Sequence, residues 1–124
     1  LAFGDKERFD EKFSAYLEAH LLDRLTVQQI AEYFHMSVSQ LERTCRKFFD
    51  MGVIAVYNQK RYSKARALLK NTQLRVGEVA QRVGFLDAAS FSTFFSKRAG
   101  ESPSAYRERV FRKIYQKEEG EEKL

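Results

Sequence analysis

An internal repeat constrains this chain more than any other feature. The segment Leu25 to Phe34, LTVQQIAEYF, aligns with Leu74 to Val83, LRVGEVAQRV, at an offset of 49 residues. Leu, Val and Ala recur at equivalent places, and Ile30 faces Val79. Past the following turn the offset becomes 50, so that Ser37 matches Asp87, Leu41 matches Phe91, Cys45 matches Phe95 and Lys47 matches Lys97. Two copies are too few for a solenoid. The chain therefore reads as two similar subdomains that carry two similar surfaces.

The second copy shows what each subdomain is. Val76, Val79, Ala80 and Val83 recur at i, i+3, i+4 and i+7, the apolar stripe of a short amphipathic helix. Gly84 breaks the pattern, because glycine takes positive φ without steric cost. Asp87 is placed to accept from the free amides of a new helix, and Phe91 and Phe95 put two rings on one face of it. Gly100 ends that helix, Ser102 caps the next, and Pro103 suits its first position. Small Ala80 lets two helices cross closely, which makes a helix-turn-helix unit.

The rest of the chain is also helical. Leu1 to Gly4 reads as linker and Asp5 to about Leu22 as a helix with Phe9, Phe13, Tyr16, Leu17 and His20 on one face. Val38 to Phe49 is expected to turn Val38, Leu41, Cys45 and Phe48 inward. Gly52 precedes a long helix from about Val53 to Leu69, whose apolar positions are Val56, Tyr57, Ala65, Leu68 and Leu69. The last helix is expected to anchor through Tyr106, Val110 and Ile114. The fold class is all-α: two tandem helix-turn-helix subdomains joined by a long linker helix, with about seven helices. The expected divisions are 1–24 for linker and first helix, 25–52 for the first helix-turn-helix, 53–72 for the linker helix, 73–115 for the second helix-turn-helix with its last helix, and 116–124 for a disordered charged tail.

Several functions are set aside at this level. No phosphate-cradling motif, HExxH or CxxC occurs, His20 and His35 lie on different elements, and nothing marks a catalytic cluster, a metal site or a cofactor. Glu118, Glu119, Glu121 and Glu122 read as a solvated run. The single cysteine, Cys45, permits no intrachain disulfide and reads as a buried structural thiol, which suits a reducing cytoplasm. No apolar run approaches the roughly 18 residues of a membrane span, and no signal peptide is visible. Charge points instead to a polyanion. Residues 25–115 carry a net +9, while 1–24 and 116–124 carry −2 each.

A helix fits the major groove of B-DNA, and a helix-turn-helix presents its second helix there. A linker helix of about 17 residues spans about 26 Å, of the order needed to serve two grooves about 34 Å apart. Arg43 reads as a residue that bonds a guanine edge twice or as a surface partner of Glu42 or Asp50, and Glu42 as an acceptor from cytosine or a charge that repels phosphate and so polices position. Gln40, Arg46, Lys47 and Lys97 are phosphate candidates.

The residues Ala80, Gly84-Phe85, Asp87, Phe91, Phe95, Gly100, Pro103 and Tyr106-Arg107 resemble the second helix-turn-helix of the AraC/XylS family of bacterial transcription activators. Ser37, Leu41 and Arg43, with Arg61, Ala65, Leu68 and Leu69, extend the likeness to the whole double domain from Leu25 to Arg107. The resemblance implies a sequence-specific DNA-binding domain of a cytoplasmic regulator, an activator that contacts RNA polymerase, with a sensing or dimerisation domain upstream. Its DNA-contacting positions fall on Ser39, Glu42 and Arg43, and on Ala88, Ala89, Ser90, Ser92 and Thr93. The chain departs from the family pattern at Cys45, Asp50, Val56, Thr93 and Ser96. With Thr93 and Ser96 the second reading helix is nearly uncharged, so the first unit is expected to discriminate bases more strongly while the second positions the chain through Ser90, Ser92 and Lys97. The competing reading is a helical protein-interaction module that has lost DNA binding, favoured by the apolar pair Phe48-Phe49.

Overall fold

The computed structural model describes residues 8–122, with side chains through 116. Among the described residues there are seven α-helices, one 3₁₀ turn at Leu21–Asp23 and no strand. In chain order they are α1 Phe9–Ala19, α2 Val27–Tyr33, α3 Val38–Phe49, α4 Val53–Asn71, α5 Val76–Arg82, α6 Ala88–Ala99 and α7 Pro103–Glu122. The chain divides inside α4 into two units, one ending at Arg61 and the other beginning at Tyr62.

The first unit packs α1, α2, α3 and the start of α4 around Phe13, Leu17, Ile30, Leu41, Cys45, Val53, Val56 and Tyr57, all at most 2% exposed. Its short helices begin where side chains satisfy their free amides. Thr26 Oγ1 accepts from Gln29 N at 3.1 Å while Gln29 Oε1 accepts from Thr26 N at 2.9 Å. Ser37 and Gln40 make the same reciprocal pair at the start of α3. Each such box is worth about 1 kcal/mol to a helix this short. Tyr57 Oη reaches back across the core to donate to the carbonyl of His20, 2.7 Å away, at the end of α1. His20 itself caps that end, its Nδ1 2.6 Å from Asp23 Oδ2. Rings from α1 fill much of the remaining space: Phe9 contacts Phe34 and Phe48, and Phe13 contacts Phe49.

The second unit repeats this plan around Ala65, Leu69, Val79, Ala80, Val83, Phe91 and Phe95, with Leu68 and Tyr106 at the edge. Glu78 Oε1 accepts from Arg75 N at 2.8 Å to start α5. Asp87 Oδ1 accepts from Ser90 N at 2.7 Å to start α6, and Ser102 Oγ accepts from Ala105 N at 3.1 Å to start α7. Arg107 Nε donates to the carbonyl of Leu69 at 2.9 Å, near the end of α4.

Three sequence expectations are corrected. On α3 the buried stripe is Leu41 and Cys45, while Val38 and Phe48 stay 38% and 44% exposed. Phe49, one turn beyond Cys45, goes inward instead because Phe13 is there to meet it. Ile114 is no anchor: α7 has passed the core by then, and Phe111, Ile114 and Tyr115 all face solvent. The linker helix ends at Asn71, within the 53–72 expected for it. The expected disordered tail is helical through Glu122, since Lys, Gln and Glu favour helix on their own; residues 123–124 lie outside the described residues, as does the expected start of the first helix at Asp5.

Candidate nucleic-acid interface

Each unit contains two helices joined by a tight turn, and the two turns are built alike. In the first, Met36 N donates to Ala31 O at 2.9 Å, with His35 at φ +56°. In the second, Phe85 N donates to Ala80 O at 2.9 Å, with Gly84 at φ +87°. Ala31 and Ala80, nearly or fully buried, are the small residues that let α2 approach α3 and α5 approach α6. The equivalent hydrogen bonds pair Met36 with Phe85, and the equivalent caps pair Ser37 with Asp87. Leu86 is therefore the residue added in the second turn.

The second helix of each unit buries one stripe and exposes the other. On α3 the buried pair is Leu41 and Cys45, and on α6 it is Phe91 and Phe95. At about 100° per residue, Ser39, Gln40, Arg43, Arg46 and Lys47 fall on the outward side of α3, and all five are exposed. Ala89, Ser90, Thr93 and Lys97 fall on the corresponding side of α6 and are exposed too. Ala88 is exposed in the first turn beside them. Both basic ends sit in the last turn, Arg46 and Lys47 on α3 and Lys97 and Arg98 on α6, where cations complement the helix dipole.

Two residues from the sequence list lie elsewhere. Glu42 and Ser92 occupy equivalent flank positions and are half-buried. Glu42 Oε1 accepts from Val53 N at 2.9 Å, the first amide of α4. The carboxylate is turned to the next helix rather than outward, so it is not held ready for a cytosine. The repeat explains why. Ser102 caps α7, but its counterpart is Gly52, which has no side chain to offer. A Cβ on Gly52 would sit 3.1 Å from Glu42 Oε1, so the carboxylate occupies the space a cap would need. Sequence reasoning missed this role, although the Gly52–Ser102 mismatch was there to signal it. It also passed over Leu86.

Gln40 is partly committed as well, since its Oε1 completes the Ser37 box. Arg43 makes no ion pair among the described residues, and nothing there ties it to Glu42 or Asp50. The Phe48-Phe49 pair is shared between the Phe9 and Phe13 rings. Cys45 is fully buried between α3 and its neighbours, and that burial pushes its thiol up to about 12. Such a thiol is inert packing, not chemistry. Asp87 is held below the usual carboxylate range, chiefly by the hydrogen bond from the Ser90 amide. Among the described residues no group of His, Cys, Asp and Glu could hold a metal ion, and no helix is long and apolar enough to cross a membrane.

Two units, each with a buried first helix partner and an exposed second helix behind a capped turn, define a double helix-turn-helix protein. Residues 30–109 match the helix-turn-helix domain family, and the chain belongs to the AraC/XylS-type regulators within it. It is similar to the HTH-type transcriptional activator RhaS of Escherichia coli, 33% identical over 94 residues, which cover 76% of this chain and 34% of RhaS. It is also similar to the uncharacterised HTH-type transcriptional regulator YijO of Escherichia coli, 31% identical over 107 residues, 86% of this chain and 38% of YijO. The chain thus spans well under half of these curated relatives. Among solved structures, the DNA-binding domain of the global transcriptional factor AdpA, in complex with a target DNA, aligns with a TM-score of 0.79 at 26% identity. That alignment covers 86% of this chain and 96% of the AdpA domain.

Proposed function

We propose that this chain is the sequence-specific DNA-binding part of a bacterial transcription regulator, and that α3 and α6 each enter a major groove. The observation that carries this reading is the repeated exposure of one outward face per unit behind a capped turn, on a chain with the AdpA domain's fold. On α3, Arg43 bonds a base edge, Ser39 lies beside it, and Arg46 and Lys47, with the free amide group of Gln40, hold phosphates. On α6, Ala88, Ala89, Ser90 and Thr93 approach the bases and Lys97 a phosphate, with Ser92 at the margin. The two faces engage successive grooves of one duplex, which makes the site a direct rather than a palindromic one.

Binding to selected DNA as a function of salt tests this. Log affinity should fall linearly with log salt, because each neutralised phosphate releases counterions. Failure to bind any DNA, or affinity indifferent to salt, overturns the proposal. In that event the protein-interaction module becomes the better reading, supported by Phe111, Ile114 and Tyr115 exposed along α7. The same proposal includes activation through contact with RNA polymerase in the cytoplasm. It also includes a sensing or dimerisation domain attached to this one, in keeping with the greater length of the relatives.

A further inference from the structure

Leu86 is 75% exposed, more than any other large apolar side chain among the described residues, and it is the one residue by which the second turn exceeds the first. It packs in neither core. Its side chain therefore stands open to a partner immediately before the second reading helix. Thr93 stands two residues from both Phe91 and Phe95, hence about 160° around α6 from each buried ring, at the middle of the outward face. Its hydroxyl proton is committed to Ala89 O at 3.1 Å, which leaves Thr93 the lone pairs of that oxygen and its methyl to offer. The apolar group Thr93 offers is its methyl. Ala89, one turn earlier on the same side, adds another. The equivalent positions of α3 are Ser39 and Arg43, so the two units present opposite chemistry at the same place.

We infer that the second unit reads thymine, through contact of the methyl groups of Leu86, Ala89 and Thr93 against the C5-methyl groups in the major groove. The C5-methyl is the one apolar feature a base pair shows in that groove, so an uncharged face still discriminates, and the second unit is not merely a positioner. This rests on the proposed DNA binding and adds the chemistry of what α6 selects.

The test uses the whole chain and its best site from selection on random DNA. Each thymine is replaced in turn by deoxyuridine, which removes only the methyl and keeps base pairing. Expected is a loss of about 3- to 4-fold at each thymine touched, the worth of one buried methyl-sized group, confined to one part of the site. Thr93→Ser deletes the threonine methyl and keeps the hydroxyl; it should erase the thymine–deoxyuridine difference at one position. Thr93→Val keeps a methyl and loses the hydroxyl, and should retain it. Leu86→Ser should erase the difference at a neighbouring position. Both side chains are exposed, so folding is not at stake. Unchanged affinity on every deoxyuridine site, or a difference that survives Thr93→Ser and Leu86→Ser together, overturns the inference. Absence of binding to any selected DNA is the separate failure of the underlying reading.

Discussion

Position 52 shows how much one missing side chain redirects. Ser102 caps its own helix; Gly52 cannot, and Glu42 comes across from α3 to bond Val53 N instead. Glu42→Ala should therefore lower stability by about 1 kcal/mol, the usual cost of a lost cap, read as a shift in the denaturant midpoint, with base preference unchanged. Adding Gly52→Ser to that variant supplies the missing hydroxyl in the vacated space and should recover most of the loss. If the double variant is no more stable than Glu42→Ala, the cap assignment is wrong. Asp50 is the other residue out of keeping with its twin. It ends α3 at φ +59°, where Gly100 ends α6 at φ +77°. A side chain in the left-handed region is strained, and a carboxylate at a helix C-terminus faces the dipole's negative end. Asp50→Gly should raise stability by about 0.5–1 kcal/mol in the same unfolding experiment. The family pattern marked Asp50 as unusual, because glycine is usual at that place. In the sequence, Glu42's partner was signalled only by the Gly52–Ser102 mismatch, since a polar residue on a reading helix looks the same whether it faces a base or a neighbouring amide.

The two reading helices differ at their caps and along their outward faces, and each difference is measurable. Asp87 starts α6 with a charged cap, Ser37 starts α3 with a neutral one. Because the Ser90 amide holds the Asp87 carboxyl below its ordinary value, the native state binds that proton less readily than the unfolded chain. Stability from this cap is thus present above the ordinary carboxylate range and is lost as pH falls through the lowered folded value. Asp87→Ser should flatten the acid side of the stability profile of the protein, while Ser37→Ala should lower stability equally at all pH. Along α3, Arg43 stands opposite the buried Leu41 and Cys45, with Lys47 one turn on. Arg43→Ala should relax sequence preference at one base pair, worth about 1–3 kcal/mol of discrimination. Lys47→Ala should weaken every sequence alike and reduce the salt slope by about 1. Equal loss of preference in both variants would defeat that division of labour. These outward faces were legible from the apolar period, since fixing Leu41, Cys45, Phe91 and Phe95 fixes what lies opposite. The edges of the stripe were not. With apolar residues at 38, 41, 45, 48 and 49, the period allows more than one rotation, and only the rings that α1 supplies decide that Phe49 turns inward and Phe48 stays near Phe9.

At the level of the whole chain, the repeat reaches beyond the helix-turn-helix units themselves. Tyr57 and Arg107 are equivalent by position, and both bond the carboxyl end of the helix that precedes their helix-turn-helix, Tyr57 at His20 O and Arg107 at Leu69 O. So α4 plays two parts. Its first turns close the first core through Val53, Val56 and Tyr57, and its later turns open the second through Ala65, Leu68 and Leu69. The low contrast of its sequence comes from this: apolar residues change sides partway along, so no single stripe runs its length, though a long helix was legible from the lack of any breaker after Gly52. The aromatic load is uneven for a related reason. Only the first unit has α1 to cover, and Phe9, Phe13 and Tyr16 do so, a role the sequence disclosed through their shared face. If α3 and α6 read successive grooves of one duplex, α4 must also set their phase. Inserting two alanines between Arg61 and Tyr62 adds about 200° of rotation and about 3 Å of rise without removing a residue from either core. Thermal unfolding should change little. Affinity for the full site should fall steeply, towards that for DNA carrying one half-site alone, and the footprint should shrink to one groove. Full affinity retained by the insertion variant, with an unchanged footprint, would mean that the two faces bind without a fixed phase and that α4 serves only as a tether.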